Sequence, residues 1–305
     1  MRLGTDEHKE RFCRDFLLTH APYDAGSIDW PEITKAEHRL LVGLPIWDEA
    51  VNTEYETAVL VRAMADHEPD PVMAEAIALQ AFEEERHSEL VSALTAHYGI
   101  TVRRRPAPDV SDPDWAFRKS GWGESIDSFF AFGVFGLARD LRIVPDGLLA
   151  VFDLVMSEEA RHIFFFENWR HYQRRSRPPA RVPVDGGRDA LAALLVVLAR
   201  LRLAVSSARG TSTDDQNFIF SIAPSLGSLS PRVFARMCLR ENDRRFAPFD
   251  PTLPRPQVIP SLVRRGLRLL PGRPLAPLAR VVAPSPESAL PRPPLLDAPS
   301  SDAPS

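Results

Sequence analysis

From residue 30 to residue 177 apolar side chains recur every three or four positions, strand-like alternation is missing, and Gly/Pro punctuation falls between the periodic runs. Side chains three and four apart share one face of a helix, so the pattern predicts an all-α fold. Four long helices are expected, at about Pro45–Asp66, Pro71–Tyr98, Gly123–Arg142 and Pro145–Arg174. HEPD (67–70) makes the first turn; Pro71 and Pro145 suit a first helical turn, where the amide N–H has no partner to lose. The longer stretch GITVRRRPAPDVSDPDW (99–115) links the second helix to the third. Two helix hairpins joined by one longer crossover make a four-helix bundle.

The inward stripes carry charge. On the second helix Met73, Ile77, Gln80, Glu84, His87, Val91, Leu94 and Tyr98 keep a 4-3-4-3 spacing, which places Glu84 and His87 in the core face. The fourth helix repeats this with Leu148, Phe152, Val155, Glu159, His162, Phe166 and Trp169. On the first, Trp47, Val51, Glu54, Ala58, Val61 and Ala65 select Glu54 over Glu49 and Glu56 as the inward carboxylate. The third is less regular: Glu124, Ser128, Ala131, Phe135 and Ala138 favour Glu124, with Asp127 as the rival acid.

Four carboxylates and two imidazoles inside one bundle cost several kcal/mol for each uncompensated charge. Two metal ions would neutralise them, and one Glu from each of two helices plus Glu-x-x-His from each of the others is a di-iron or di-manganese ligand set. The candidate ligands, and through the metals the candidate catalytic residues, are Glu54, Glu84, His87, Glu124, Glu159 and His162. Glu84 and Glu159 could bridge two metals. The pentapeptides EEERH (83–87) and EEARH (158–162) also place Glu83 and Glu158 to accept the free N–H of a ligand histidine, with Arg86 and Arg161 to pair with those acids. The remaining histidines, His8, His20, His38, His67, His97 and His171, read as surface or capping residues.

Prolines at 178, 179 and 183 and the Gly186-Gly187 pair break the chain after the fourth helix, and prolines become dense from 251. The chain therefore divides into an N-terminal extension with short helices (1–44), the bundle (45–177), additional helices packing on it (178–250) and a Pro-rich flexible tail (251–305). Leu191–Val205 reads as a fifth helix that covers a pocket or forms a homodimer contact, and SLVRRGLRLL (261–270) as a short basic amphipathic helix. TSTDDQNF, with Asp214, Asp215 and Asn217, is a polar loop. A net charge of -4 gives no general attraction to nucleic acid. Two distant cysteines, Cys13 and Cys238, supply neither a disulfide framework nor a thiolate metal site, so a cytoplasmic protein with no transmembrane segment is expected.

Through Glu54, Glu84-x-x-His87, Glu124 and Glu159-x-x-His162 the sequence resembles the ferritin-like di-iron carboxylate superfamily over about residues 45–170, most of all its oxidase, oxygenase and desaturase branches. The arylamine N-oxygenases of that superfamily carry a further histidine where this chain has Val155, and the cysteine cluster of a rubrerythrin is missing. The resemblance implies two iron ions, with manganese as an alternative in one or both positions. It also implies O2 activation, an organic substrate that is apolar or carrier-bound, and electrons from an external reductase or ferredoxin. Phe129, Phe132, Phe135 and Phe166, beside Gly133 and Gly136, would line the substrate pocket, or else be ordinary core. Two other functions compete: a ferroxidase or peroxide-consuming protein, and a metal-free helical interaction protein.

Overall fold

The computed structural model describes residues 1–208 and 230–269, except 45, 143, 177 and 179, and gives only the backbone of 204 and 206–208. Among the described residues all regular structure is helical: α1 (Asp6–Leu18), α2 (Lys35–Val42), α3 (Trp47–His67), α4 (Pro71–His97), α5 (Pro113–Leu141), α6 (Asp146–Ser176), α7 (Val182–Ala208), α8 (Pro231–Phe246) and α9 (Val258–Leu269), with a 3-10 turn at Ala25–Ser27.

Residues 68–70 fold the chain back between α3 and α4, the most extensively paired helices. Asp70 caps α4 by accepting from the Met73 amide at 3.1 Å, with Pro71 in the first turn. Helix α5 packs against both α3 and α6, while α4 meets α6. Helix α1 lies across α4 and α6, and α7 and α8 cover α5.

These four long helices bury a polar layer between two apolar clusters. Met73, Ile77, Val61, Ala65, Phe166 and Trp169 belong to one cluster; Val91, Leu94, Trp47, Val51 and Leu148 belong to the other. Glu54, Glu84, His87, Glu159 and His162 fall between them along each helix. Each large apolar side chain buried in either cluster contributes about 1.5–3 kcal/mol, which is what lets the fold hold a charged layer between them.

Three expected boundaries move. Helix α5 begins at Pro113 rather than Gly123, because the Asp112 carboxylate caps it by accepting from the Trp115 amide at 2.9 Å. Helix α7 begins at Val182 rather than Leu191: Pro183 sits in its first turn, where no amide N–H is required, and Gly186 and Gly187 continue it. Residues 251–269, expected to open a flexible tail, are packed: Leu253 and Pro260 are buried, and the Pro254 carbonyl accepts from Asn168 Nδ2 at 3.0 Å. The rest of the expected tail, and the polar loop at 214–217, lie outside the described residues.

Candidate metal centre

The register that makes α4 and α6 amphipathic also points their Glu-x-x-His pairs at each other. Glu84, His87, Glu159 and His162 are buried, and Glu54 from α3 and Glu124 from α5 approach from the partly exposed side. Two overlapping groups bring ligand atoms within 4.8 Å of one another: Glu54, Glu84, His87 and Glu159, and Glu84, Glu124 and His162. Either could hold a metal ion, and Glu84 is common to both.

The pairing between the helices is crossed. His162 Nδ1 lies 2.8 Å from Glu84 Oε1 on α4 but 3.8 Å from Glu159 Oε1 on its own helix. His87 Nδ1 lies 3.3 Å from Glu159 Oε1 and 3.4 Å from Glu54 Oε2, but 3.8 Å from Glu84 Oε2 on its own helix. Glu159 and His162 thus fall in different groups, while Glu84, common to both, shares one with His87. These separations bracket the roughly 3 Å edge of a coordination polyhedron with ~2.1 Å bonds.

The outer nitrogens fix the tautomers. His87 Nε2 donates to Glu158 Oε2 at 2.9 Å, and His162 Nε2 donates to Glu83 Oε2 at 2.8 Å. Burial opposes ionisation of Glu83, but His162 and Arg161 hold its carboxyl down at about 2. Burial likewise opposes ionisation of Glu158, and His87 and Arg86 keep it below the usual carboxylate range. With these acids ionised, each Nε2 keeps its proton and each Nδ1 turns inward. Both Nδ1 atoms, Glu84 Oε1 and Gln80 Oε1 are buried without a hydrogen-bond partner. Buried polar atoms without partners are uncommon and ask for an explanation; a cation among them is a sufficient one.

Charge in the layer is correspondingly displaced. Burial alone would lower both imidazole pKa values, yet the facing carboxylates raise both well above the ordinary value. Burial pushes the Glu54 carboxyl up to about 7 despite its contact with His87. Burial, followed by the charges of Glu84 and Glu159, raises Glu124 well above the usual range. At Glu84 the two histidines outweigh burial and hold the carboxyl well below it.

Neighbouring hydroxyls and an amide orient the carboxylates. Ser128 Oγ donates to Glu159 at 3.0 Å; Ser120 Oγ and Gln80 Nε2 donate to Glu124 at 3.0 and 3.4 Å. Rival acids are engaged elsewhere: Asp127 accepts from Arg200 at 3.0 Å, and Glu49 and Glu56 pair with Arg105 at 3.0 and 2.7 Å.

The segment after α1 was not recognisable in the sequence as part of the site. Arg161, which pairs with Glu83 at 2.7 Å, also donates to the Phe16 carbonyl and to Thr19 Oγ1. Arg86, paired with Glu158, donates to the Ala21 and Tyr23 carbonyls, and the Tyr23 hydroxyl donates to Glu158 at 3.1 Å. His20 Nδ1 lies 2.6 Å from Glu83 Oε1, so it is neither a cap nor a free surface residue. His8, also expected at the surface, is buried against Asn168 because α1 packs on α6. His38 is exposed, as expected, and bonds the Tyr98 carbonyl at the C-terminal end of α4 at 2.9 Å.

The expected aromatic pocket is largely filled. A Cβ on Gly133 would collide with Cys238, and one on Gly136 with Glu241, both on α8, so these glycines admit a helix and leave no cavity between them. Phe166 occupies the space a Cβ on Gly121 would need and stacks on Trp169, and Arg245 lies over Phe135. Phe129 and Phe132 line a crevice with Trp122, Ile163 and Phe246 that has room for little more than one water. Among the described residues no helix is long and apolar enough to cross a membrane. No protein-family model matches the chain, and neither a curated protein nor a solved structure matches it.

Proposed function

We propose that this chain is a di-iron protein of the ferritin-like carboxylate superfamily, acting as an O2-dependent oxidoreductase on an organic substrate with electrons from a separate reductase or ferredoxin. The observation that carries the reading is the pair of inward Nδ1 atoms, each with its Nε2 tied to an ionised glutamate and each facing carboxylate oxygens without a hydrogen bond. Glu54, His87 and Glu159 would hold one ion and Glu124 and His162 the other, with Glu84 between them. The mixed carboxylate and imidazole set suits iron or manganese. Iron bound there supplies one-electron chemistry with O2.

The chain's own residues do the rest. Glu83 and Glu158 keep both imidazoles in one orientation and make Nδ1 more basic. The apolar clusters on either side exclude water from the layer. Glu54 and Glu124, less buried than the other four, form the side from which a small molecule reaches the centre.

Metal analysis with optical and Mössbauer spectra, after anaerobic Fe(II) loading and O2 exposure, tests this reading. About two coupled irons per chain, lost in a Glu84→Ala/His162→Ala double variant, are expected. A folded wild type that binds neither iron nor manganese would sink it.

A second reading, a ferroxidase or peroxide-consuming protein, draws support from the crevice at Phe129 and Phe132, which is too small for an organic molecule. Turnover separates the two: consumption of Fe(II) with O2 or peroxide alone favours the second, and an organic product that requires an electron donor favours the first.

A further inference from the structure

Helix α7 has two unlike faces. Asp189 accepts from Trp122 Nε1 at 3.1 Å, Ala192 is fully buried, and Arg200 pairs with Asp127 on α5. The opposite face is apolar and, among the described residues, uncovered: Leu191, Leu194, Leu198, Leu201 and Val205 keep 49, 53, 40, 56 and 47% of their surface exposed. A helix that turns one side to water normally presents charge there. Between 190 and 201 the only charged residue is Arg200, and its guanidinium is engaged with Asp127.

The exposed residues follow a 3-4-3-4 spacing, which is the seam of a two-helix coiled coil and calls for a helical partner. We propose that α7 pairs antiparallel with α7 of a second copy of this chain across a two-fold axis near Val196. The axis places Leu191 opposite Leu201, Leu194 opposite Leu198 and Leu195 opposite Val197, so the face is complementary to itself. It sets the exposed Arg202 against Ala190, outside the seam. The five residues of this face leave on the order of 450 Å2 per chain exposed, the size of the largest and often functional apolar patch on a monomer. The pairing is independent of metal binding.

Light scattering on the full chain is expected to give twice the 34.1 kDa of one chain. Leu194→Lys/Leu198→Lys is expected to return the mass to that of one chain while the far-UV circular dichroism stays that of the folded protein, since the two side chains keep 53 and 40% of their surface exposed in the single chain. The loss of the partner lowers the thermal midpoint to that of the monomer. Cysteine pairs provide a second readout that leaves the face apolar: Leu191→Cys chains should crosslink to Leu201→Cys chains under mild oxidation, and not to each other. The native Cys13 and Cys238 are buried and stay out of the reaction. A wild type that is monomeric at every soluble concentration overturns the proposal, as does a dimer that survives the double lysine change or a Leu191→Cys homodimer. A monomer that pellets with phosphatidylcholine vesicles would also overturn it and assign the face to a lipid surface.

Discussion

Replacing Glu158 by glutamine preserves its shape and removes its charge. In the wild type this carboxylate is 2% exposed and accepts from Arg86, from His87 Nε2 at 2.9 Å and from the Tyr23 hydroxyl at 3.1 Å. Breaking a buried ion pair costs about 3–5 kcal/mol. Arg86 keeps its bonds to the Ala21 and Tyr23 carbonyls, which places the loss near the lower end, at about 3 kcal/mol. For a chain of 305 residues that is a fall of roughly 5 °C in the unfolding midpoint. The amide oxygen can still accept from His87, but a neutral acceptor no longer strengthens Nδ1 as a ligand, so metal affinity should fall about 10–100-fold. Competition with a chromophoric chelator, run anaerobically with Fe(II) and then with Mn(II), measures the affinity; calorimetry of the metal-free protein measures the stability. Arg86→Met in the same chain removes the stranded cation and should restore stability without restoring affinity. Folded Glu158→Gln protein that binds metal within about threefold of wild type would refute the role of Glu158 in orienting His87.

Metal affinity should rise with pH. Glu54 titrates at about 7, so below that value it holds a proton that a metal must displace, and the raised Glu124 and imidazole pKa values act in the same sense. Titration calorimetry near pH 6 in two buffers of different ionisation heat should show net proton release; an affinity that is flat from about pH 6 to 8 contradicts this. Gly133→Ala should lower the thermal midpoint, at a cost of about 1–3 kcal/mol, because its methyl meets Cys238, while leaving metal stoichiometry unchanged. Arg142, which ends α5 at φ 53°, is a left-handed residue with a side chain; Arg142→Gly should raise stability by about 0.5–1 kcal/mol in chemical denaturation, and a loss would contradict the left-handed turn.

What could be read in advance was whatever depends on a single helix. The spacing of α4 alone puts Glu84 and His87 on the face that is buried, and the spacing of α3 separates Glu54 from Glu49 and Glu56, which instead serve Arg105. What could not be read depends on how elements meet. Small residues beside large rings on α5 permit either a cavity or a close helix approach, and only the position of Cys238 and Glu241 on α8 decides for the second. The prolines at 183 and 260 suggest breaks in the sequence, yet both occur in the opening turn of a helix, where a missing amide N–H leaves no hydrogen bond unmade. His20 and Tyr23 reach acids 63 and 135 positions away, and no local pattern announces such contacts.

The crossed contacts explain why the pentapeptide is needed twice and why neither copy could work alone. Glu83 on α4 supports His162 on α6 and is held by Arg161 from α6, while Glu158 on α6 supports His87 on α4 and is held by Arg86 from α4. The inner atoms repeat the exchange, since each histidine lies nearer the opposite helix's Glu-x-x-His glutamate than its own. A one-residue slip of α4 against α6 would therefore strand buried charge in both halves at once, at several kcal/mol for each broken pair. The same slip would also unseat the interdigitated side chains of the apolar clusters above and below, but those can repack against other apolar partners, whereas the stranded charges have no alternative partner. The polar layer thus sets the register of α4 on α6, and the segment 16–23, bound to both arginines, is held in place by the same condition.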